Sequence, residues 1–281
     1  MRPSSAPANK AFVCFCVDGQ SDIDALRNAF DALFDEIGGD DIDVQFRFAE
    51  FQGENHGDIT SYTPVEPENI EKMIYKYYFK GQDGKTAGRP GWNDVTHIIH
   101  IIDLDGAYVS DSSISEFNEE EKAFANSRSS KNDVKKALYF DDHIAVAESE
   151  GRYLPVQKMQ DRNLRKRRNI EYLLTLNEIR VGKRAVKYSL YYFSSNLDHF
   201  LFSDANLAGY EKMKMASYFS SQYSMPDSFT EFICNDISST PHDNYAASWK
   251  AIKKGNTSLL RGTNINLLVK RIIDSSVEDW L

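Results

Sequence analysis

Three aspartates are the residues of this sequence best placed to do chemistry. Asp18 follows the apolar run Ala11–Val17 (AFVCFCV), and Asp103 and Asp105 follow a second apolar run, Val95–Ile102 (VTHIIHII). Each run reads as a strand buried on both faces. On extended backbone, residues two apart point the same way, so Asp103 and Asp105 can face one site. Parallel sheets bind ligands beyond the carboxyl ends of their strands, which is where all three acids fall. Carboxylates crowded there repel one another unless a cation neutralises them, and hard oxygen ligands of this kind suit Mg²⁺ or Mn²⁺. The plainer reading is that Asp103-Leu104-Asp105-Gly106 is only a turn, since Asp and Gly are common turn formers after strands.

The elements that must position these acids follow from spacing. Asp18-Gly19-Gln20-Ser21 breaks the first strand, and Ser21 can cap a helix from about Asp22 to Ile37. Ile23, Leu26, Phe30 and Leu33 recur there at helical spacing before Gly38-Gly39 ends the pattern. Val44–Phe48 alternates as a second strand. A helix opens at Pro67-Glu68-Asn69 and runs through about Phe79, and Lys80–Asn93 is a Gly-rich loop before the strand at Val95. The order β-α-β-α-β predicts an α/β fold with a parallel sheet. Beyond Asp105 the pattern changes. Ser110–Lys136 reads as loop plus solvated helix, Asp161–Leu176 as a basic run leading into an apolar helix, and Val186–Phe193 as a further strand. The expected organisation is a flexible start (1–10), a core over 11–105 and 181–205, an insertion with a basic helix (106–180) and a helical C-terminal region (206–281).

Composition bounds the partners. The chain has 281 residues, 41% hydrophobic and 12% aromatic, enough for one large domain with a packed core. A net charge of −9 argues against coating nucleic acid by bulk electrostatics, and leaves room for one local basic patch. Lys158, Arg162, Arg165, Lys166, Arg167 and Arg168 form the concentrated positive run, which suits phosphate contact or, more plainly, a solvated helix face. Cys14, Cys16 and Cys234 make no disulfide framework, and Cys14 and Cys16 read as buried small hydrophobes. No apolar stretch approaches the ~20 residues that span a bilayer, and the first ten residues lack the pattern of a signal peptide. A cytoplasmic location without a membrane partner is the expectation. His97 and His100 lie three apart on a strand and face opposite sides, so they fail as a metal pair. Asp141-Asp142-His143 reads as a turn.

The order of these motifs resembles the TOPRIM domain, the catalytic module of topoisomerases, primases and related nucleases. In that family an apolar strand is followed by a Glu-Gly pair and a helix, the place taken here by Asp18-Gly19, with Asp where the family has Glu. The family's later Asp-x-Asp is matched by Asp103-Leu104-Asp105. Phe193-Ser194-Ser195-Asn196-Leu197-Asp198 resembles a segment of small bacterial TOPRIM proteins of phage defence, which would add Asp198 to the site; otherwise Asn196 and Asp198 merely cap a helix. The resemblance covers roughly residues 11–105 and 186–205. It implies a TOPRIM-like core and Mg²⁺-dependent cleavage of DNA or RNA, with an effector role in anti-phage defence. Asp103 and Asp105 would hold metal, Asp18 would hold a second metal or move a proton, and the basic run would meet the substrate. A regulatory protein or a second copy of the chain is a further partner to expect.

Two rival readings stand beside it. Ile101-Ile102-Asp103-Leu104-Asp105-Gly106 also resembles the signature of haloacid-dehalogenase-type phosphatases, with Asp103 as nucleophile and Asp105 as acid/base. Those enzymes need a downstream Lys and a later acidic pair, and their motif sits near the domain start, whereas here a βαβα unit precedes it. The other rival is a TOPRIM-like module that binds nucleic acid or a partner without cutting.

Overall fold

A computed structural model describes residues 10–51, 54–55, 57–80, 91–129, 135–147, 155–235 and 244–281. The expected flexible start and most of the Gly-rich loop before the second apolar run lie outside them. The elements in chain order are β1 (Ala11–Val17), α1 (Gln20–Gly38), β2 (Ile42–Phe48), β3 (Glu50–Phe51), β4 (Glu54–Asn55), α2 (Ile70–Ile74) and β5 (His97–Asp103). There follow β6 (Ile114–Glu116), α3 (Glu119–Ser127), β7 (Ala137–Tyr139), β8 (Ile144–Val146), α4 (Val156–Leu173), β9 (Glu178–Val181) and β10 (Arg184–Phe193). The chain then runs through α5 (Leu197–Phe202), α6 (Gly209–Gln222), α7 (Pro226–Asn235), α8 (Tyr245–Ile252) and α9 (Ile265–Ile273).

The architecture is mixed α/β. A five-stranded sheet runs in the order β2-β1-β5-β10-β9, with β1, β2, β5 and β10 parallel and β9 antiparallel at the edge. Its strands are buried on both faces because alternate side chains feed two cores. Val13, Phe15, Val17, Ile99, Ile101, Tyr191 and Phe193 pack with α1, α6, α7 and α9. Cys14, Cys16, Ile98, Ile102, Leu190 and Tyr192 pack on the other face with α2, α4 and α8. His97 and His100 divide the same way, His97 against Trp280 and His100 between Tyr78 and Tyr188.

Three differences from the sequence reading have local causes. The helix begins at Gln20, so Ser21 lies in its first turn, while the Gly19 amide donates to Asp22 Oδ2 at 2.7 Å. An acid at the third helical position thus satisfies an orphan N–H, as in half of a capping box. The solvated helix expected after Asp105 is α3, mostly exposed, and what the pattern did not announce is a three-stranded sheet, β6-β8-β7. Its strands are three residues each, too short to show period-two alternation, and they pack on Met159 of α4 and Leu259. The insertion also ends earlier than position 180, since β9 joins the main sheet through the two-residue turn at Gly182, whose φ is 63°. No described helix is long and apolar enough to cross a membrane.

One loop is pressed hard against the end of β1. A Cβ built on Gly57 would lie 1.3 Å from the Asp18 carbonyl oxygen, so only glycine lets the segment carrying Asp58 approach. Gly57→Ala is expected to cost at least about 2 kcal/mol, read as a lowered denaturation midpoint, because backbone rather than a flexible side chain must move.

Candidate functional site

The carboxyl ends of β1, β5 and β10 form one edge, and the backbone there is tied across strands. Phe193 lies opposite Asp103 in register. The Leu104 N–H donates to Phe193 O at 2.9 Å and the Asp105 N–H to Ser195 O at 2.7 Å. Asp18 Oδ2 accepts from the Asp103 N–H at 3.1 Å, and Asp103 Oδ1 accepts from the Leu197 N–H at 2.8 Å, at the start of α5. Asp105 and Gly106 turn the chain with φ of 47° and 69°. An aspartate held at positive φ costs on the order of 1 kcal/mol and is tolerated where the surroundings fix it.

What fixes Asp105 is a pair of cations from α4. Lys166 is fully buried, and its Nζ lies 2.9 Å from Asp105 Oδ2 and 2.9 Å from Asp58 Oδ2. Arg162 donates to Asp105 Oδ2 at 2.7 Å and to the Tyr139 hydroxyl at 2.9 Å. Burial works to neutralise Lys166, but Asp105 and Asp58 outweigh it and hold the ammonium above its ordinary pKa. Burial likewise raises Asp58, yet Lys166 and hydrogen bonds from Ser61 and Thr60 keep it well below the usual carboxylate range.

The other flank carries a second acid–lysine arrangement. Asp198, buried at the start of α5, pairs with Lys212 of α6 at 2.5 Å. Asp22 on α1 is pushed up to about 6, first by burial and then by the charge of Asp198. Between the flanks sit the acids that lack a cation of their own. Asp103 is raised well above its ordinary value by burial and then by Asp22, Asp18 and Asp105. Asp18 is raised the same way by burial and Asp58, and its Oδ1 is buried with no hydrogen-bond partner. Ser195 Oγ is also unpartnered.

Carboxylates desolvated and crowded in this way fit a hard divalent cation, with Asp18 and Asp103 the oxygens best able to serve it. Among the described residues, however, no three His, Cys, Asp or Glu side chains converge as a ready-made ion cage. Asp105, expected as a metal ligand, has its Oδ2 engaged by Lys166 and Arg162. Comparison with known family models, curated proteins and solved structures finds no match to this chain.

Asp18, Asp103, Asp105 and Asp198 are therefore brought to one edge. The basic run is not one patch. Lys166 and Arg162 turn inward, Arg165 and Arg168 pair with Glu66 at 3.5 and 3.7 Å, and Lys158 is exposed. Arg167 is half-buried apart from them, its charge acting on Tyr108. Arg162 and Lys166, one helical turn apart, share the inward face, and Arg165 and Arg168, three apart, share a neighbouring one. Asp142 and His143 bond each other at 2.6 Å, and His143 reaches Glu121, not the acids of the sheet edge. Sequence reasoning missed Asp22, Asp58 and Lys212. Asp22 was accessible as the residue one helical turn after Asp18; Asp58 and Lys212 arrive through tertiary contacts that no local pattern marks.

The two kinds of acid predict opposite pH behaviour. A carboxyl raised in the folded state costs stability once the unfolded chain ionises first, so for Asp22 stability falls as pH rises from 3.8 to about 6. Asp58, depressed by Lys166, contributes stability above 3.8 that is lost as pH falls. Asp18→Asn keeps an acceptor for the Asp103 N–H and should raise the melting temperature of the metal-free protein at pH 7.5, a gain that vanishes below pH 4. Asp58→Asn should destabilise by about 3 kcal/mol at pH 7.5, because it strips one counter-charge from buried Lys166. Thermal melts from pH 4 to 8 separate the two.

Proposed function

We propose that this edge is the active site of a TOPRIM-like, Mg²⁺- or Mn²⁺-dependent nuclease that cleaves phosphodiester bonds of DNA or RNA. The observation carrying the reading is that Asp18, tied to the Asp103 N–H at the end of the sheet, keeps its Oδ1 buried and unpartnered beside that second acid. Asp18 and Asp103 would hold the cation, which supplies Lewis-acid polarisation of a phosphate oxygen. The rest falls to the chain's own groups. Asp105 fixes Lys166 and Arg162, and Arg162, whose side chain keeps 18% of its exposure, is a partly open cation for a phosphate's charge. Asp22, with its proton affinity raised toward neutrality, suits proton transfer better than an ordinary carboxylate does. The anti-phage role rests on the resemblance alone.

One observation favours the phosphatase reading. Lys166 beside Asp105 supplies the downstream lysine that haloacid-dehalogenase-type enzymes need. Against it, in the later acidic pair Asp141-Asp142, Asp142 bonds His143, which reaches Glu121 and not the acids of the sheet edge. The nucleophile's Oδ1 would also be the oxygen accepting from Leu197.

Incubation of plasmid, single-stranded DNA, total RNA and tRNA with Mg²⁺, Mn²⁺ or EDTA tests the proposal. Metal-dependent cutting is expected, lost in Asp103→Ala and lowered about 10–100-fold in Asp105→Asn, which loosens the hold on Lys166 and Arg162. Release of phosphate from a small phosphomonoester with no nucleic-acid cleavage would favour the phosphatase. Metal binding by calorimetry with no turnover of either substrate would leave the non-cutting module.

A further inference from the structure

A cavity lies at the sheet edge opposite the acids, where β5 and β10 begin. Its volume is about 780 Å³, within the range that holds a small organic ligand, and it opens between β10 and the helices α8 and α9. Lys187, Lys270 and Arg271 line it, in a protein whose net charge is −9. The acid among the lining residues is Asp274. Asp279 lies near Lys187 and Arg271, and Lys187 donates to its backbone oxygen at 3.4 Å.

Two further observations bear on the occupant, His97 on its charge and Tyr245 on its shape. His97 also lines the cavity and is 3% exposed. Its Nδ1 meets Thr96 Oγ1 at 3.2 Å, while Nε2 has no hydrogen bond of good geometry, although the Trp280 backbone is close enough to favour its proton. The ring is pushed down to about 4 by burial and then by Lys187 and Arg271, so the positive field of those side chains reaches the cavity wall. Tyr245 stands at the rim, 38% exposed, its ring 5.6 Å from that of Tyr191 in an edge-on arrangement that leaves aromatic surface toward the opening.

We propose that this cavity binds a small ligand with an anionic group and an aromatic ring, the chemistry of a nucleoside monophosphate. Lys187, Lys270 and Arg271 receive the phosphate, and Tyr245 offers its ring to the base. The site is independent of the acid pocket, since the seven residues of β5 set the two edges roughly 20 Å apart.

Isothermal calorimetry with AMP tests this on the full chain carrying Asp103→Ala, in EDTA, so that the acid pocket takes no part. AMP should bind at micromolar to millimolar concentration, and Lys187→Glu, at an exposed strand position, should weaken it at least tenfold with an unchanged melting temperature. Lys187→Arg should restore it. Adenosine and inorganic phosphate should each bind at least tenfold more weakly than AMP. No binding of AMP, binding indifferent to Lys187→Glu, or adenosine binding as tightly as AMP would overturn the proposal.

Discussion

Lys166 is an ammonium with no exposed surface, and it is tolerable only because two carboxylates meet it at 2.9 Å. Moving such a charge out of water costs several kcal/mol, so the fold must deliver Asp58 and Asp105 together or not at all. That requirement ties three separate pieces of chain: the loop after Gly57, the turn after β5 and the helix α4. The inner stripe of α4 is built for the task. Asn163, Lys166 and Asn169 follow one another at helical spacing, all buried, and the two asparagines donate to the carbonyls of Gly106, Thr60 and Val65. A helix that would ordinarily bury apolar residues here instead uses polar ones to hold the loops around the site.

With those pairings in place, the remaining acids are left under strain of a different kind. Asp58, Asp105 and Asp198 each have a lysine, whereas Asp18, Asp22 and Asp103 share what positive charge reaches them. Asp18, Asp22 and Asp103 hold their protons more tightly than usual, first through burial, and Asp22 and Asp18 both act on Asp103. A protein selected for stability alone would replace such groups with amides or apolar residues. Their presence together on one edge gives up stability and leaves carboxyl oxygens able to take a proton.

Much of this was legible in the sequence because it depends on local pattern. β1 was readable to the residue, since an unbroken apolar run bounded by Asp-Gly admits few alternatives, and Asp18, Asp103 and Asp105 followed from where such runs end. The small sheet β6-β8-β7 was not, because three-residue strands carry no period. Nor was the inward turn of Lys166 and Arg162, for a run of six basic residues looks the same whether its helix faces solvent or a pair of carboxylates. Composition cannot assign a face; only the partner can, and Asp58 lies more than a hundred positions away.

The parallel sheet also explains why charge is sorted between its two ends. In β1, β5 and β10 every strand runs the same way, so residues just past the strands collect on one edge and residues at the starts collect on the other. The strand β5 carries both environments, Asp103 among acids at its end and His97 beneath Lys187 and Arg271 at its start. Burial first and the neighbouring acids second raise the proton affinity of Asp18 and Asp103, while burial first and the nearby cations second lower that of His97. The two shifts have opposite sign and the same two causes, removal from water and then like charge brought close by the topology. A rigid, doubly buried strand then joins the two ends, and a ligand that neutralises either end relieves repulsion at that end alone unless the strand itself shifts.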